Sequence, residues 1–281
     1  MIPIDYHLHS THSVDGEAEV DAMCDAAAAC GLKEICFTEH VDFDRTDPGY
    51  GYLNWEAYNQ SIAEARARHA GRLVIRTGLE FDFRRAYGSE VGEVLATMPC
   101  DFRIGSVHSA AGYLLFRLHK EPPERLDIRS LQAEYFAEVE ALVASGLCHA
   151  LGHFDYLYKQ LPAVFGPHRD AWYWERVERI LAQCIAGGVA LELNTHHVLD
   201  SASPCVAGFA EQGRGLAMAA DAEILSRYRA LGGRLLTVGS DAHRRDDVAH
   251  AFAEAERCLR AAGFDAVTGF ERGRPYAISL F

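Results

Sequence analysis

Pro3-Ile4-Asp5-Tyr6-His7-Leu8-His9 is a short β-like run that ends in two histidines two positions apart. In a strand, residues two apart point to the same side, so His7 and His9 present two imidazoles to one point. Six further runs of this kind follow: Glu34–His40, Leu73–Phe81, Phe102–His108, Cys148–His153, Val189–Asn194 and Arg234–Ser240. Amphipathic stretches lie between and after them, at Glu17–Cys30, Trp55–Ala70, Ser89–Thr97, Ile128–Ala144, Arg169–Ala186, Ala217–Ala230 and Val248–Ala262. Several of these stop at a glycine: Gly31, Gly71, Gly146, Gly187, Gly232 or Gly263. Strand-then-helix units in series predict parallel strands with crossover helices, hence an α/β barrel or an open α/β sheet. The longer irregular pieces, Asp42–Asn54, Gly112–Asp127 and Leu199–Leu216, follow strands, where the active-site loops of α/β barrels sit. No fixed repeat, low-complexity tract or linker interrupts the pattern, so residues 1–281 are read as one domain.

Composition narrows the function. The chain has 281 residues, 49% hydrophobic and 24% charged, enough to bury roughly three-quarters of its unfolded surface. Forty acidic residues against 27 Lys plus Arg give a formal net charge of −13, the wrong sign for a general nucleic-acid or acidic-membrane binder. No apolar run approaches the ~18 residues of a membrane helix. The start, Met1 to His7, lacks the basic and apolar regions of a signal peptide. The eight scattered cysteines form no C-x-x-C pair and are expected to be free thiols, which with the missing signal points to the cytoplasm. Nothing in the sequence specifies an oligomer.

The unusual count is 14 histidines, and their positions matter more than their number. Strand one delivers His7 and His9, then Asp15. The later strands deliver Glu39-His40, Glu80 with Asp82, His108, His153 with Asp155, Glu192-Leu193-Asn194 followed by His196-His197, and Ser240-Asp241-Ala242-His243. In a barrel of parallel strands these ends converge on one face, so groups far apart in sequence become neighbours. Chance would scatter histidines over helices, as with His69, His168 and His250, which are assigned to solvated faces. Imidazole and carboxylate donors without thiolate suit Zn²⁺, Mn²⁺ or Fe²⁺. The nine candidates (His7, His9, Asp15, His40, Glu80, His108, His153, Asp241 and His243) exceed the needs of one ion, and two or three divalent ions are the natural count.

Taken together, these pieces resemble the PHP family of metal-dependent phosphoesterases. The matching residues are Asp5-Tyr6-His7-Leu8-His9 with Ser13 and Asp15, Phe37-Thr38-Glu39-His40, Gly78-Leu79-Glu80, Gly105-Ser106-Val107-His108, Gly152-His153, Glu192-Leu193-Asn194 and Ser240-Asp241-Ala242-His243. The run Thr38–Phe43 looks most like the histidinol-phosphate phosphatases of that family. The resemblance implies a distorted (β/α)7 barrel with a metal site at the C-terminal ends of its strands. By that likeness His7, His9, Glu80 and Asp241 hold one ion, Glu80 bridges to a second held by His108 and His153, and Asp15, His40 and His243 hold a third. Glu80, Asp241 and His243 are then the candidate catalytic residues. The implied reaction is hydrolysis of a small phosphorylated substrate, foremost L-histidinol phosphate in histidine biosynthesis. A water shared by two ions, deprotonated near neutral pH, would attack phosphorus in line.

The chain departs from that pattern in two places. Relatives commonly follow Glu-Leu-Asn with a Gly-Leu-Arg-Lys run whose Arg helps bind phosphate, where this chain has Thr195-His196-His197-Val198-Leu199. A later Tyr-Pro-Ser element is replaced by Ala219-Ala220-Asp221. Lys159 and Arg214 are the candidate substrate-binding cations, with Arg117 a third. Asp42, Asp44 and Asp82 are candidates for the substrate's ammonium and imidazole, and Thr38, Asn194 and Ser240 for orienting metal ligands. The alternatives are the same chemistry on another phosphomonoester or a small phosphodiester, then a metal-dependent amidohydrolase, then a non-catalytic metal-binding module.

Overall fold

Seven parallel strands form one sheet in the computed structural model, which describes residues 1–196 and 215–280, without the side chains of 167 and 215–220. In chain order they are β1 (Ile4–Leu8), β2 (Glu34–Val41), β3 (Val74–Asp82), β4 (Phe102–Ser106), β7 (Ala150–Leu151), β8 (Ala190–Asn194) and β9 (Leu236–Gly239), each paired with the next. Between β4 and β7 lies a small hairpin of β5 (Ser109–Ala110) and β6 (Tyr113–Leu114). The main strands are apolar and buried over most of their length, as parallel strands covered on both faces must be. Helices expected from the sequence follow them, α1 (Val20–Ala29), α2 (Trp55–Arg68), α3 (Gly88–Ala96), α4 (Ile128–Ser145), α7 (Ala171–Gly187), α8 (Gly215–Ala230) and α9 (Phe252–Ala261), and the short α5 (Tyr156–Gln160) and α6 (Pro162–Phe165) add two that the sequence pattern did not indicate.

The sheet curls until its edges meet. The amide of Asp241 donates to His7 O at 2.8 Å, and that of His9 to Ala242 O at 2.9 Å. Asp5 adds a side-chain stitch across the same seam. Its carboxylate accepts from Ser240 N at 2.9 Å, Ser240 Oγ at 2.5 Å and Ala249 N at 3.2 Å. The result is the nearly closed (β/α)7 barrel, with its ligand-bearing strand ends gathered on one rim.

Two strands, β4 and β7, end two residues earlier than the apolar pattern predicts, for one shared reason. After β4 the amide of His108 donates to Asp82 Oδ1 at 3.0 Å, and after β7 the amide of His153 donates to Glu192 Oε2 at 2.5 Å. A carboxylate from a neighbouring strand takes the donor that a ladder would use, and the chain leaves the sheet at the histidine. Gly187 proves to be the last residue of α7, and Gly188, at φ +66°, supplies the left-handed stop. His69 also differs from expectation. It is buried at the end of α2, with Nε2 3.0 Å from Asp21 Oδ1.

An antiparallel hairpin of β10 (Ala266–Glu271) and β11 (Arg274–Ser279) closes the opposite end of the barrel. Phe270 exchanges bonds with the Tyr6 hydroxyl and packs on Phe102 with ring centroids 4.8 Å apart. Thr268 Oγ1 accepts from the amide of Leu236. With that end plugged, the functional rim is the one left open. Among the described residues no helix is long and apolar enough to cross a membrane.

Candidate metal centre

Glu80, 1% exposed near the end of β3, stands at the centre of the open rim. Its Oε2 lies 3.1 Å from His7 Nε2, 3.2 Å from His40 Nδ1 and 3.5 Å from His9 Nε2. Its Oε1 lies 2.8 Å from His153 Nε2 and 3.3 Å from His108 Nε2, and accepts from Ser106 Oγ at 2.6 Å. One carboxylate thus faces two separate groups of imidazoles, one on each oxygen. Asp241 Oδ1 continues the first group, 3.3 Å from His9 Nε2 and 3.5 Å from His7 Nε2. Asp15 draws a third set together, with its oxygens 3.6 Å from His40 Nε2 and 3.4 Å from His243 Nε2. All nine residues expected from strand-end positions therefore meet at one place.

The donor set fits divalent cations. His108 Nε2 and His153 Nε2 face each other at 3.3 Å, and a shared cation would satisfy both nitrogens. His9 Nε2 is buried with no hydrogen-bond partner among the described residues, which is costly for a polar atom unless an ion takes the place of the partner. Three donor triads have ligand atoms within 4.8 Å of one another: His7, His9 and Asp241; Glu80, His108 and His153; and His9, His40 and His243. A fourth joins His196 to Asp241 and His243, and a fifth joins Asp42 to His40 and His108.

Neighbouring carboxylates aim the imidazoles. Glu192 on β8 holds His7 Nδ1 at 2.5 Å with one oxygen and the amide of His153 with the other, which leaves His7 Nε2 to the centre. Glu192 and Asn194 lie two apart and face the same way, and Asn194 Nδ2 donates to Asp241 Oδ2 at 3.2 Å. Asp241 adopts a left-handed backbone at φ +54°, an uncommon conformation fixed here by its bond to His7 O. The absence of a side chain at Gly239 is needed as well, because a Cβ there would come within 2.2 Å of His7 Cβ and 2.8 Å of Glu192 Oε1. Asp5 and Glu192, which the sequence reading quoted in motifs without a role, and Gly239, which it did not name, are supporting residues. The signal was the period-two placement of Asp5 with His7 and of Glu192 with Asn194.

Without ions, protons hold the cage together. Burial alone would lower His40, but Glu80, Asp15 and Asp42 beside it outweigh that and raise it to about 10. His7 and His108 are likewise raised against burial, by Asp241, Glu192 and Glu80 for the first and by Glu80, Asp42 and Asp82 for the second. His9 goes the other way, down to about 3, through burial and the charges of His40 and His243. In the metal-free chain, the stability lent by the His40 imidazolium is whole below the ordinary histidine value of 6.5 and is lost as pH rises through about 10. Metal ligation needs the neutral imidazole, so loading at pH 8 should expel at least about one proton per chain. Titration calorimetry in buffers of differing ionisation enthalpy measures that number, and a zero buffer dependence would contradict the charge state assigned to His40.

The centre opens into a cleft of about 550 Å³, whose lining also includes Asp42, Asp47, Phe116, Tyr156, Gln160 and His196. Asp42 faces His108 Nδ1 at 3.6 Å, whereas Asp44 pairs with Arg84 and Asp82 accepts from the His108 amide and the Tyr87 hydroxyl. Thr38 and Ser240 bond to Leu8 O and Asp5 and do not orient a candidate ligand side chain directly. Lys159 does not join the cleft. It is buried behind the strand ends with Asp155 and Asp221, so its charge is already matched by carboxylates. Arg117 is exposed over the Phe116 ring. Arg214, His197 and most of the expected loop 199–216 lie outside the described residues.

The PHP domain matches residues 5–196. A probable histidinol-phosphatase of Deinococcus radiodurans is 34% identical over 271 residues, covering 94% of this chain and 95% of that protein. The histidinol-phosphatase of Lactococcus lactis is 28% identical over 278 residues, with 96% and 95% covered. A crystal structure of histidinol phosphate phosphatase from the same bacterium, complexed with zinc, L-histidinol and phosphate, matches with a TM-score of 0.80 at 25% identity and covers 98% of each chain. Converging strand ends, a central carboxylate with imidazoles on both oxygens and near-complete coverage by these relatives agree: the chain belongs to the PHP-domain family.

Proposed function

We propose that this protein is a metal-dependent phosphatase that hydrolyses L-histidinol phosphate to L-histidinol and phosphate, a step of histidine biosynthesis. The observation that carries the reading is Glu80, a buried carboxylate with a separate group of imidazoles on each oxygen. Relatives named histidinol-phosphatase over nearly the whole chain support the substrate. In this reading His7, His9, Glu80 and Asp241 hold one divalent ion, Glu80, His108 and His153 a second, and Asp15, His40 and His243 a third. Zinc is supported by the Lactococcus structure, while manganese and iron suit the same donors.

Bound divalent ions would supply Lewis acidity toward the phosphoryl oxygens and lower the pKa of a water. The protein's own part is placement. Glu80 would hold two ions through its two oxygens, Asp241 is held by Asn194 and by the backbone of β1, and Glu192 keeps His7 turned with Nε2 inward. Tyr156 packs against His153 with ring centroids 4.5 Å apart and forms a wall of the cleft. Asp42 and Asp47 line another part of the cleft and offer negative charge to the ammonium of a histidinol ester. A cytoplasmic setting and a small phosphorylated partner follow from this reading.

His196 lines the cleft and belongs to the Thr195–Leu199 segment that departs from the Gly-Leu-Arg-Lys run, and this favours a second reading, the same chemistry on a different monoester. Phosphate release by protein stripped with a chelator and reloaded with Mn²⁺ or Zn²⁺ separates the two. The panel is histidinol phosphate, other monoesters and a phosphodiester. Histidinol phosphate is expected to lead in kcat/KM by about 100-fold or more, with the stripped protein inactive. A flat profile, or one led by another ester, would overturn the substrate.

A further inference from the structure

The Lys159 ammonium is buried and reaches three parts of the barrel at once. Nζ lies 3.3 Å from Asp221 Oδ1 on α8 and 3.5 Å from Asp155 Oδ1 in the turn after β7, and it donates to the carbonyl of Asn194, at the end of β8, at 3.5 Å. Asp155 is held a second time, by Arg169 Nη2 at 2.8 Å. Lys159 also lines a small cavity with Asp155, Glu192 and Asp221. Two of the three parts it touches carry or support the metal cage. The turn after β7 carries His153, two residues before Asp155. Asn194 bonds Asp241 through its side chain and the His196 amide through Oδ1. Glu192, beside the same cavity, aims His7 and His153.

We infer that Lys159 is a positioning residue for the metal cage, whose ammonium clamps the β7 exit, the end of β8 and helix α8 together and so fixes His153 and Asp241 where the ions require them. The inference rests on the metal-centre reading above. It accounts for a buried lysine that does not line the cleft among the described residues. A cation at this point offsets the carboxylates of Asp155, Glu192 and Asp221, which would otherwise repel one another behind the site. A lysine that served only to neutralise buried charge would be replaceable by removing the charge. One that sets ligand spacing would not.

The test compares wild type, Lys159→Met, and Lys159→Met combined with Asp221→Asn. Zn²⁺ affinity is read by competition with a chromophoric chelator, beside the Tm of the metal-free proteins and the kcat and KM of the loaded ones. The single variant leaves Asp221 buried without its cation and should lose both Tm and affinity. The double variant leaves no such orphan, since Asp155 keeps Arg169, and its metal-free Tm should return close to wild type. Its Zn²⁺ affinity should nevertheless stay about 10- to 100-fold below wild type, with the loss in turnover falling on kcat rather than KM. Wild-type affinity in the double variant would overturn the inference and reduce Lys159 to charge balance. A wild-type protein that takes up no Zn²⁺ would instead overturn the metal-centre reading on which it rests.

Discussion

Glu80→Gln is expected to lower kcat/KM by at least about 10³-fold and to remove more than one ion from each chain. Glutamine keeps the shape of the side chain, so the strand and its neighbours stay in place. What it loses is the charge that both sets of imidazoles face. It also turns an N–H₂ toward His7 and His40 or toward His108 and His153, where an acceptor stood before. Burial would raise Glu80, yet His7, His108 and His40 hold it well below the ordinary glutamate value, so the wild-type residue is a full carboxylate at neutral pH. Elemental analysis of bound metal beside phosphate release checks the expectation. Full metal content with retained turnover would remove Glu80 from its central role.

Glu192→Gln should act one step further out and less severely. Glu192 accepts from His7 through one oxygen and from the His153 amide through the other, so a single carboxylate aims one ligand from each side of Glu80. An amide in its place accepts one of those bonds and opposes the other with a donor. Metal affinity should fall roughly 10- to 100-fold, in the range typical of groups that orient metal-bound histidines, while excess metal restores part of the activity. Rescue by excess metal separates this variant from Glu80→Gln, where the carboxylate that both groups of imidazoles face is itself gone. Unchanged affinity would show that His7 is oriented by packing against Gly239 alone.

The parts of the molecule that were legible in the sequence are those where one residue type serves one local purpose. Leu73–Phe81 and Phe102–His108 read as strands because apolar side chains fall on alternate positions, Leu73, Ile75, Leu79 and Phe81 in one and Phe102 and Ile104 in the other. The nine cage residues were legible because topology brings the strand ends together whatever the loops do. Groups whose role depends on a distant partner were less visible. Lys159 is a plausible anion-binding lysine until Asp221, from a helix far along the chain, is seen beside it. Glu192 was quoted in a motif but carried no role, because its partners His7 and His153 come from other strands. The β10–β11 hairpin lacks the Asn-Gly signal of a tight turn. Its turn uses Arg272 and Gly273, both at positive φ, and Arg rarely announces that conformation. His69 followed the general rule for helix surfaces, and the specific pairing with Asp21 overrode it.

In the proposed reading this barrel rim holds more than one divalent ion, with Glu80 between them. Anomalous difference density from crystals grown with Zn²⁺, collected at the zinc edge, tests it most directly. At least two peaks are expected in the cage, one beside His7, His9 and Asp241 and one beside His108 and His153, on opposite oxygens of Glu80. A single peak, or ions that bypass Glu80, would contradict it.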